Sequence, residues 1–310
     1  MRHRQGILVS CQIPWDERER LLERQLREEI RYLLGAGFHD IYIFGTAGEG
    51  HAVDTPRFCR IAEIFFEETR ADHVSPMVGV IGLSTATIVE RINHAHRLGF
   101  RMFQISLPSW GALNDNEVER FFVDVCSAFP DSAFLHYNLL RSRRLLNASE
   151  YRRIADIVPN LVATKNTGTA TASTIELMRA TPDLQHFFGE AMFPIGCLAG
   201  DCSLLSSFGA FAPQRTWEFF ELGRAKQFDR LFPMQRDYLA MASDLQAPTR
   251  GQILMDGAYD KLWSRVAGLD MPLRLLSPYD SFSEQVFDEC RRILYEKYPE
   301  WAAGNCYRTE

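Results

Sequence analysis

Lys165 closes a short apolar run, Leu161-Val162-Ala163-Thr164, and Asn166-Thr167-Gly168 follows at once. A lysine at the end of a buried strand carries its amine into the mouth of a fold, where partial desolvation penalises the ammonium and lowers its pKa. The neutral amine is the nucleophile that makes Schiff bases with carbonyl compounds. The plainer alternative is a rim lysine held in a salt bridge. Two similar strand ends lie upstream: Phe134-Leu135-His136 runs into Tyr137-Asn138, and Ile41-Tyr42-Ile43-Phe44 runs into Gly45-Thr46-Ala47-Gly48-Glu49-Gly50. Tyr137 offers a phenol that can pass a proton beside a carbinolamine or iminium, or else it is a core tyrosine with a satisfied hydroxyl. The Gly-rich turn exposes backbone N–H groups, and with the Thr46 hydroxyl it can hold a carboxylate without a cation. Turns of this composition also occur without any ligand. Glu49 reads either as a general acid or base or, more readily, as a side chain that bonds nearby amides. Three strand ends with three kinds of reactive group point to an enzyme.

The elements that must carry these groups alternate along the chain. Apolar runs start with Ile7–Cys11, Ile41–Phe44, Pro76–Ile81 and Phe100–Leu107, and continue with Ala133–Tyr137, Leu161–Thr164, Leu184–Phe188 and Ser203–Ser207. A helical stretch follows each one, beginning with a charged helix over roughly Glu17–Leu34. Asp54-Thr55-Pro56 announces the second helix and Asn147-Ala148-Ser149-Glu150 the fifth, with the residues that cap helix starts. Eight strand–helix units predict a (β/α)8 TIM barrel over residues 1–226, whose active groups sit where the strands end. Thr46, Gly82, Pro108, Tyr137, Lys165, Gly189 and Ser206 would then share one rim. Residues 227–310 carry no strand pattern and read as a C-terminal helical region packed on the barrel.

Composition narrows the partners. The hydrophobic fraction of 46% supports a large core, and a net charge of −6 leaves no excess of cations for general nucleic-acid binding. Seven scattered cysteines, without a CxxC pair, read as reduced buried thiols. His94 and His96 do not share a helical face, and Glu190 lacks companion acids at the third to fifth strand ends, so no metal is expected. The basic segment Met1–Gly6 precedes too short an apolar stretch for a secretory signal, and no run approaches membrane-spanning length. A cytoplasmic protein with neither membrane nor nucleic acid as partner is the expectation.

Taken in order, these motifs resemble the dihydrodipicolinate synthase / N-acetylneuraminate lyase family of pyruvate-dependent class I aldolases. The resemblance runs from about Gly6 to Pro213 and is weaker beyond. Gly45-Thr46-Ala47-Gly48-Glu49 is similar to the family's Gly-Thr/Ser-Thr-Gly-Glu carboxylate loop, Tyr137-Asn138 to its Tyr-Asn strand end, and Thr164-Lys165-Asn166-Thr167-Gly168 to its Schiff-base segment. Gly189 matches the small residue after the seventh strand, and Gly200 through Ser206 to Pro213 keeps the spacing of the eighth-strand motif. The resemblance implies that Lys165 attacks the keto carbon of a 2-oxo acid while Tyr137 relays protons. It implies that the Thr46 hydroxyl and the Thr46 and Ala47 amides hold the carboxylate. Gly189, Leu205 and Trp110 complete the expected substrate-binding set, Trp110 reading from its place in Pro108-Ser109-Trp110-Gly111 as a pocket or interface aromatic or else as simple loop packing. The protonated imine is itself the electron sink, so no cofactor is implied. Family members are often tetramers built from tight dimers, which implies a homo-oligomer.

The departures bear on substrate. Ala47 replaces the second hydroxyl of the carboxylate loop, and the stretch Tyr137–Ser142 lacks the usual proline. Ser142 stands in place of the arginine that biosynthetic members use to grip a second carboxylate, flanked by Arg141 and Arg143. Ser109-Trp110 replaces the paired tyrosines after the fourth strand, and Ala210 an asparagine of the eighth-strand motif. The expected function is a Schiff-base-forming lyase that cleaves or condenses a 2-oxo acid such as pyruvate with an aldehyde. A 2-keto-3-deoxy sugar-acid dehydratase would use the same imine, and a barrel that binds without turnover is the competing class.

Overall fold

All eight apolar runs are strands, paired in parallel in chain order until the last returns to the first. The computed structural model describes residues 2–71, 73–168 and 170–302. The strands are β1 Ile7–Ser10, β2 Asp40–Ile43, β3 Met77–Gly79, β4 Met102–Ile105, β5 Ala133–Asn138, β6 Leu161–Asn166, β7 Gln185–Gly189 and β8 Ser203–Ser206. Between and after them run α1 Glu23–Gly35, α2 Thr55–Thr69, α3 Thr85–Leu98, α4 Asp115–Cys126, α5 Ala148–Ile157, α6 Thr171–Ala180, α7 Phe193–Ala199 and α8 Pro213–Arg224. This is the closed (β/α)8 barrel that the alternation predicts. Strand side chains alternate between two environments. Leu8, Tyr42, Met77, Met102, Leu135, Phe187 and Leu205 fill the barrel interior, while Val9, Ile41, Ile43, Val78, Phe103, Phe134 and Phe188 pack beneath the helices.

Local chemistry fixes the helix starts. The Asp54 side chain accepts from the Arg57 amide ahead of Pro56, and Ser84 caps Thr87 in the same way. Asn114 with Glu117, and Asn147 with Glu150, form reciprocal capping boxes. The first helix is shorter than its sequence suggests, beginning at Glu23 and not near Glu17. The Asp16 carboxylate accepts from the amides of Arg18 and Arg20 at 2.8 Å, Glu19 turns to φ 60°, and Trp15 bridges Leu21. These bonds stabilise a turn where helical spacing alone predicts a first helical turn.

The C-terminal region consists of α9 Phe228–Gln246, α10 Asp256–Val266, α11 Glu284–Lys297 and α12 Pro299–Ala302. Its core is a second cluster that abuts the barrel's, where Phe219 of α8 stacks on Tyr238. Phe208 and Phe211, from the segment between β8 and α8, pack with Tyr238, Leu262 and Trp263. This shared core seats α10 over the C-terminal ends of the strands. Among the described residues no helix is long and apolar enough to cross a membrane. Cys11, Cys59, Cys126, Cys197, Cys202 and Cys290 are free thiols, and Cys306 lies outside the described residues.

Candidate active site

Lys165 lies within β6, not after it, and is only 3% exposed. Its strand register sets it directly beside Tyr137 of β5 and Phe187 of β7. The amine sits 3.8 Å from the centroid of the Tyr137 ring and 4.4 Å from that of Tyr42. Nζ donates to the Tyr42 hydroxyl at 2.8 Å and reaches Gln104 Oε1 at 3.5 Å. Burial lowers the Lys165 pKa to about 7, against the opposing pull of Asp256 and Asp260. Two aromatic faces and a neutral amide replace water around the amine, so its neutral form is accessible near physiological pH.

Tyr137 is equally enclosed. Burial pushes its phenol up to about 12, with Asp256 adding to the rise and Thr167 and Thr46 lowering it. At neutral pH the phenol therefore holds its proton and can donate it. One residue further along each strand, Asn138 and Asn166 pair, and Asn138 braces the strand ends. Its amide donates to Leu146 O and Asn166 Oδ1 and accepts from Leu146 N.

The Gly45–Gly50 loop stands at the end of β2. Phe44 takes φ 61°, which swings its carbonyl oxygen into the space that a Cβ on Gly50 or Gly79 would occupy. Only glycine fits at either position. Within the loop the Thr46 hydroxyl is buried beside the Tyr137 phenol without a hydrogen bond of good geometry, and no acceptor among the described residues engages the Thr46 or Ala47 amides. These unpaired donors next to Lys165 suit a carboxylate. Glu49, at φ 51°, is structural: it accepts from Trp15 Nε1 at 2.9 Å, Leu276 N at 2.7 Å and the buried Lys261 ammonium at 2.5 Å.

Two cavities flank the Lys165–Tyr137 pair. One, of about 210 Å³, lies over the ends of β2 to β5 and is lined by Thr46, Gly82, Ser106, Ser109, Arg141 and Met255, among others. The other, of about 400 Å³, lies over β6 to β8 against α9 and α10, with Asn166, Gly189, Glu190, Asp256, Asp260 and Trp263 in its walls. A larger groove of about 870 Å³ between α10 and α11 opens away from Lys165.

Of the residues expected from sequence, Lys165, Tyr137 and Thr46 converge at the mouth, and Gly189 lines the larger cavity. Leu205 belongs to the barrel interior, and Ala47 is buried with its carbonyl facing Gly257 of α10. Trp110 is 84% exposed and lines neither cavity, so the chain by itself does not bring it to the site. Ser142 spends its hydroxyl on the carbonyls of Leu139 and Arg144. Glu190 is buried and accepts from the Ser207 amide at 2.7 Å, tying β7 to the segment after β8. Sequence reasoning missed Tyr42, Gln104, Asp256 and Asp260. Tyr42 and Gln104 carried one legible signal, a polar atom at an inward strand position.

The chain matches the family model described as the dihydrodipicolinate synthetase family over residues 3–297. An uncharacterized DapA-like lyase of Thermococcus onnurineus is 24% identical over 299 residues, covering 94% of this chain and 98% of that protein. The N-acetylneuraminate lyase of Salmonella paratyphi B is 24% identical over 200 residues, covering 63% of this chain and 66% of that enzyme. Among solved structures, YagE, a prophage protein from E. coli K12 in complex with pyruvate, superimposes with a TM-score of 0.84 at 18% identity, covering 94% of this chain and 97% of that one. A family match over nearly the whole described chain, on a barrel with a desolvated lysine at its mouth, places this protein in the dihydrodipicolinate synthetase family.

Proposed function

We propose that this protein is a Schiff-base-forming lyase of the class I aldolase type, cleaving or condensing a 2-oxo acid such as pyruvate with an aldehyde. As a member of its family the chain is a lyase. The observation that carries the imine reading is the Lys165 amine: buried, lowered to about 7, and set against Tyr137 and Tyr42.

The Lys165 lone pair attacks the keto carbon while the Thr46 hydroxyl and the loop amides hold the carboxylate. Tyr137 donates its proton to the carbinolamine hydroxyl, which leaves as water and yields the iminium. The iminium accepts the electron pair released at C3, so bond cleavage gives an enamine, and in the reverse direction the enamine attacks an aldehyde. Tyr42 accepts a hydrogen bond from the amine and so aims it. A second reading draws on Asp260, whose carboxyl is held well above the usual carboxylate range by burial and by neighbouring Asp256. A protonated carboxyl in the larger cavity could protonate a departing hydroxyl, which is the step a sugar-acid dehydratase needs from the same imine.

The proposed setting is a cytoplasmic homo-oligomer, dimer or tetramer. Supporting it, Leu83, Trp110 and Leu140 are 64%, 84% and 71% exposed on the consecutive loops after β3, β4 and β5, an apolar rim that a second copy would cover.

Borohydride trapping with pyruvate, read by peptide mass spectrometry, tests the imine. A reduced adduct on Lys165 is expected. Its initial rate should rise with pH to a plateau, half-maximal near pH 7, because the ammonium below that pH has no lone pair. No adduct at any pH, or one on another lysine, would sink the mechanism. Tyr137→Phe should slow adduct formation by about 10²–10³-fold, the range of a lost general acid. Unchanged single-turnover rates would remove Tyr137 from the relay.

A further inference from the structure

One ion pair stands between the two cavities. Arg141 lines the smaller and Asp256 the larger, and the guanidinium meets the carboxylate through two bonds, at 2.8 and 3.2 Å. This is the fork-to-fork geometry in which arginine recognises carboxylates. The carboxylate here comes from the chain itself. Asp256 sits in the first turn of α10, and α10 is fixed in place: a Cβ on Gly257 would come within 2.8 Å of Ala47 O, and Lys261 is bonded to Glu49. Asp256 is thus presented to Arg141 by a helix seated on the carboxylate loop.

Glu190, Asp256 and Asp260 line the larger cavity, and among the described residues no lysine, arginine or histidine does. Burial favours the protonated forms of Glu190 and Asp260, so the charge at its wall is that of Asp256 in its pair with Arg141. Asp260 makes no hydrogen bond among the described residues, which leaves its carboxyl free to bond a substrate hydroxyl. A second carboxylate or a phosphate on the substrate tail would face these acids, and the nearest guanidinium is already occupied. Hydroxyl or ammonium donors would find acceptors.

We propose that Asp256 determines specificity: by occupying Arg141 and adding its charge to the cavity of Glu190 and Asp260, it restricts the tail of the reacting 2-oxo acid to hydrogen-bond donors without negative charge. This rests on the imine reading, because the substrate is positioned by its bond to Lys165.

The test is borohydride trapping on Lys165 with 2-oxoglutarate and 2-oxovalerate, equal in chain length and differing in the distal carboxylate. Pyruvate, which has no tail, is the reference for each variant. The parent should trap 2-oxovalerate in strong preference to 2-oxoglutarate. Asp256→Asn keeps the side-chain shape and should raise the 2-oxoglutarate to 2-oxovalerate ratio by about tenfold or more, as removing one like charge and freeing one guanidinium predicts. Arg141→Met/Asp256→Asn should lose that gain, and Arg141→Met alone should lower the ratio below the parent's. An unchanged ratio in Asp256→Asn, with the pyruvate adduct present, overturns the proposal and leaves the imine intact. A gain that persists without Arg141 overturns the role given to that arginine. A parent that traps none of the three acids fails at the imine itself.

Discussion

Lys165→Met is expected to abolish the pyruvate adduct and, at the same time, to make the protein more stable. The loss of chemistry follows because methionine has no nucleophilic nitrogen. The gain in stability follows from linkage. An unfolded lysine titrates near 10.4, whereas Lys165 is lowered to about 7 in the fold. Between those values the unfolded chain holds the proton and the native chain does not, so stability rises with pH across that window. Below about 7 both states are protonated, and the native state bears the full cost of a buried ammonium. A shift of this size corresponds to at most ~5 kcal/mol, from which the lost bond to Tyr42 subtracts ~1. A net gain of about 3 kcal/mol at pH 6 would raise the melting temperature by roughly 6 °C or more. The difference between variant and parent should shrink as pH climbs toward 10. Melting curves at pH 6 and pH 9.5 decide the matter. A variant no more stable than the parent at pH 6 would mean that Lys165 carries no desolvation cost, and with it would go the argument for a neutral amine. The residue is retained at a cost in stability, which is how a reactive group differs from a packing one.

Much of this is legible in the sequence itself. Strand ends announce themselves locally: an apolar run that stops at Lys165-Asn166, Tyr137-Asn138 or Gly45-Thr46 marks both the strand and the group at its mouth. The barrel follows from counting such units. What local signals could not supply is contact across the barrel. Tyr42 sits 123 positions from Lys165 in the chain, and a tyrosine within an apolar run looks like core until closure aims it at the amine. Gln104 was hidden for the same reason. Asp256 and Asp260 reach the site only because α10 docks on it, and docking depends on Phe208, Trp263 and their neighbours, which have no local code. Trp110 shows the reverse case. Its type and place suggest a pocket or interface aromatic, and the single chain leaves it exposed. Glu49 was read as structural for its place in a Gly-rich turn, but its partner Lys261 lies 212 positions away and was invisible.

That partner carries the other large expected effect. Lys261→Met should destabilise the protein by about 3–5 kcal/mol, the usual consequence of leaving one member of a buried ion pair behind. Lys261 is fully buried and Glu49 is 1% exposed, so no water can take the place of the ammonium. Trp15 and Leu276 would still donate to the carboxylate, which keeps the loss below that of a bare buried charge. Glu49→Gln/Lys261→Met removes both charges and should recover most of the loss, because the penalty lies in the unpaired charge more than in the absent attraction. Chemical denaturation of the four proteins in the cycle measures this. If Lys261→Met were as stable as the parent, the pair would not be what holds α10 to the carboxylate loop. If the double variant is restored in stability yet binds pyruvate more weakly, the pair also sets the position of the Thr46 and Ala47 amides. Glu49 and Lys261 would then be positioning residues, holding the loop that binds one end of the substrate to the helix that screens the other.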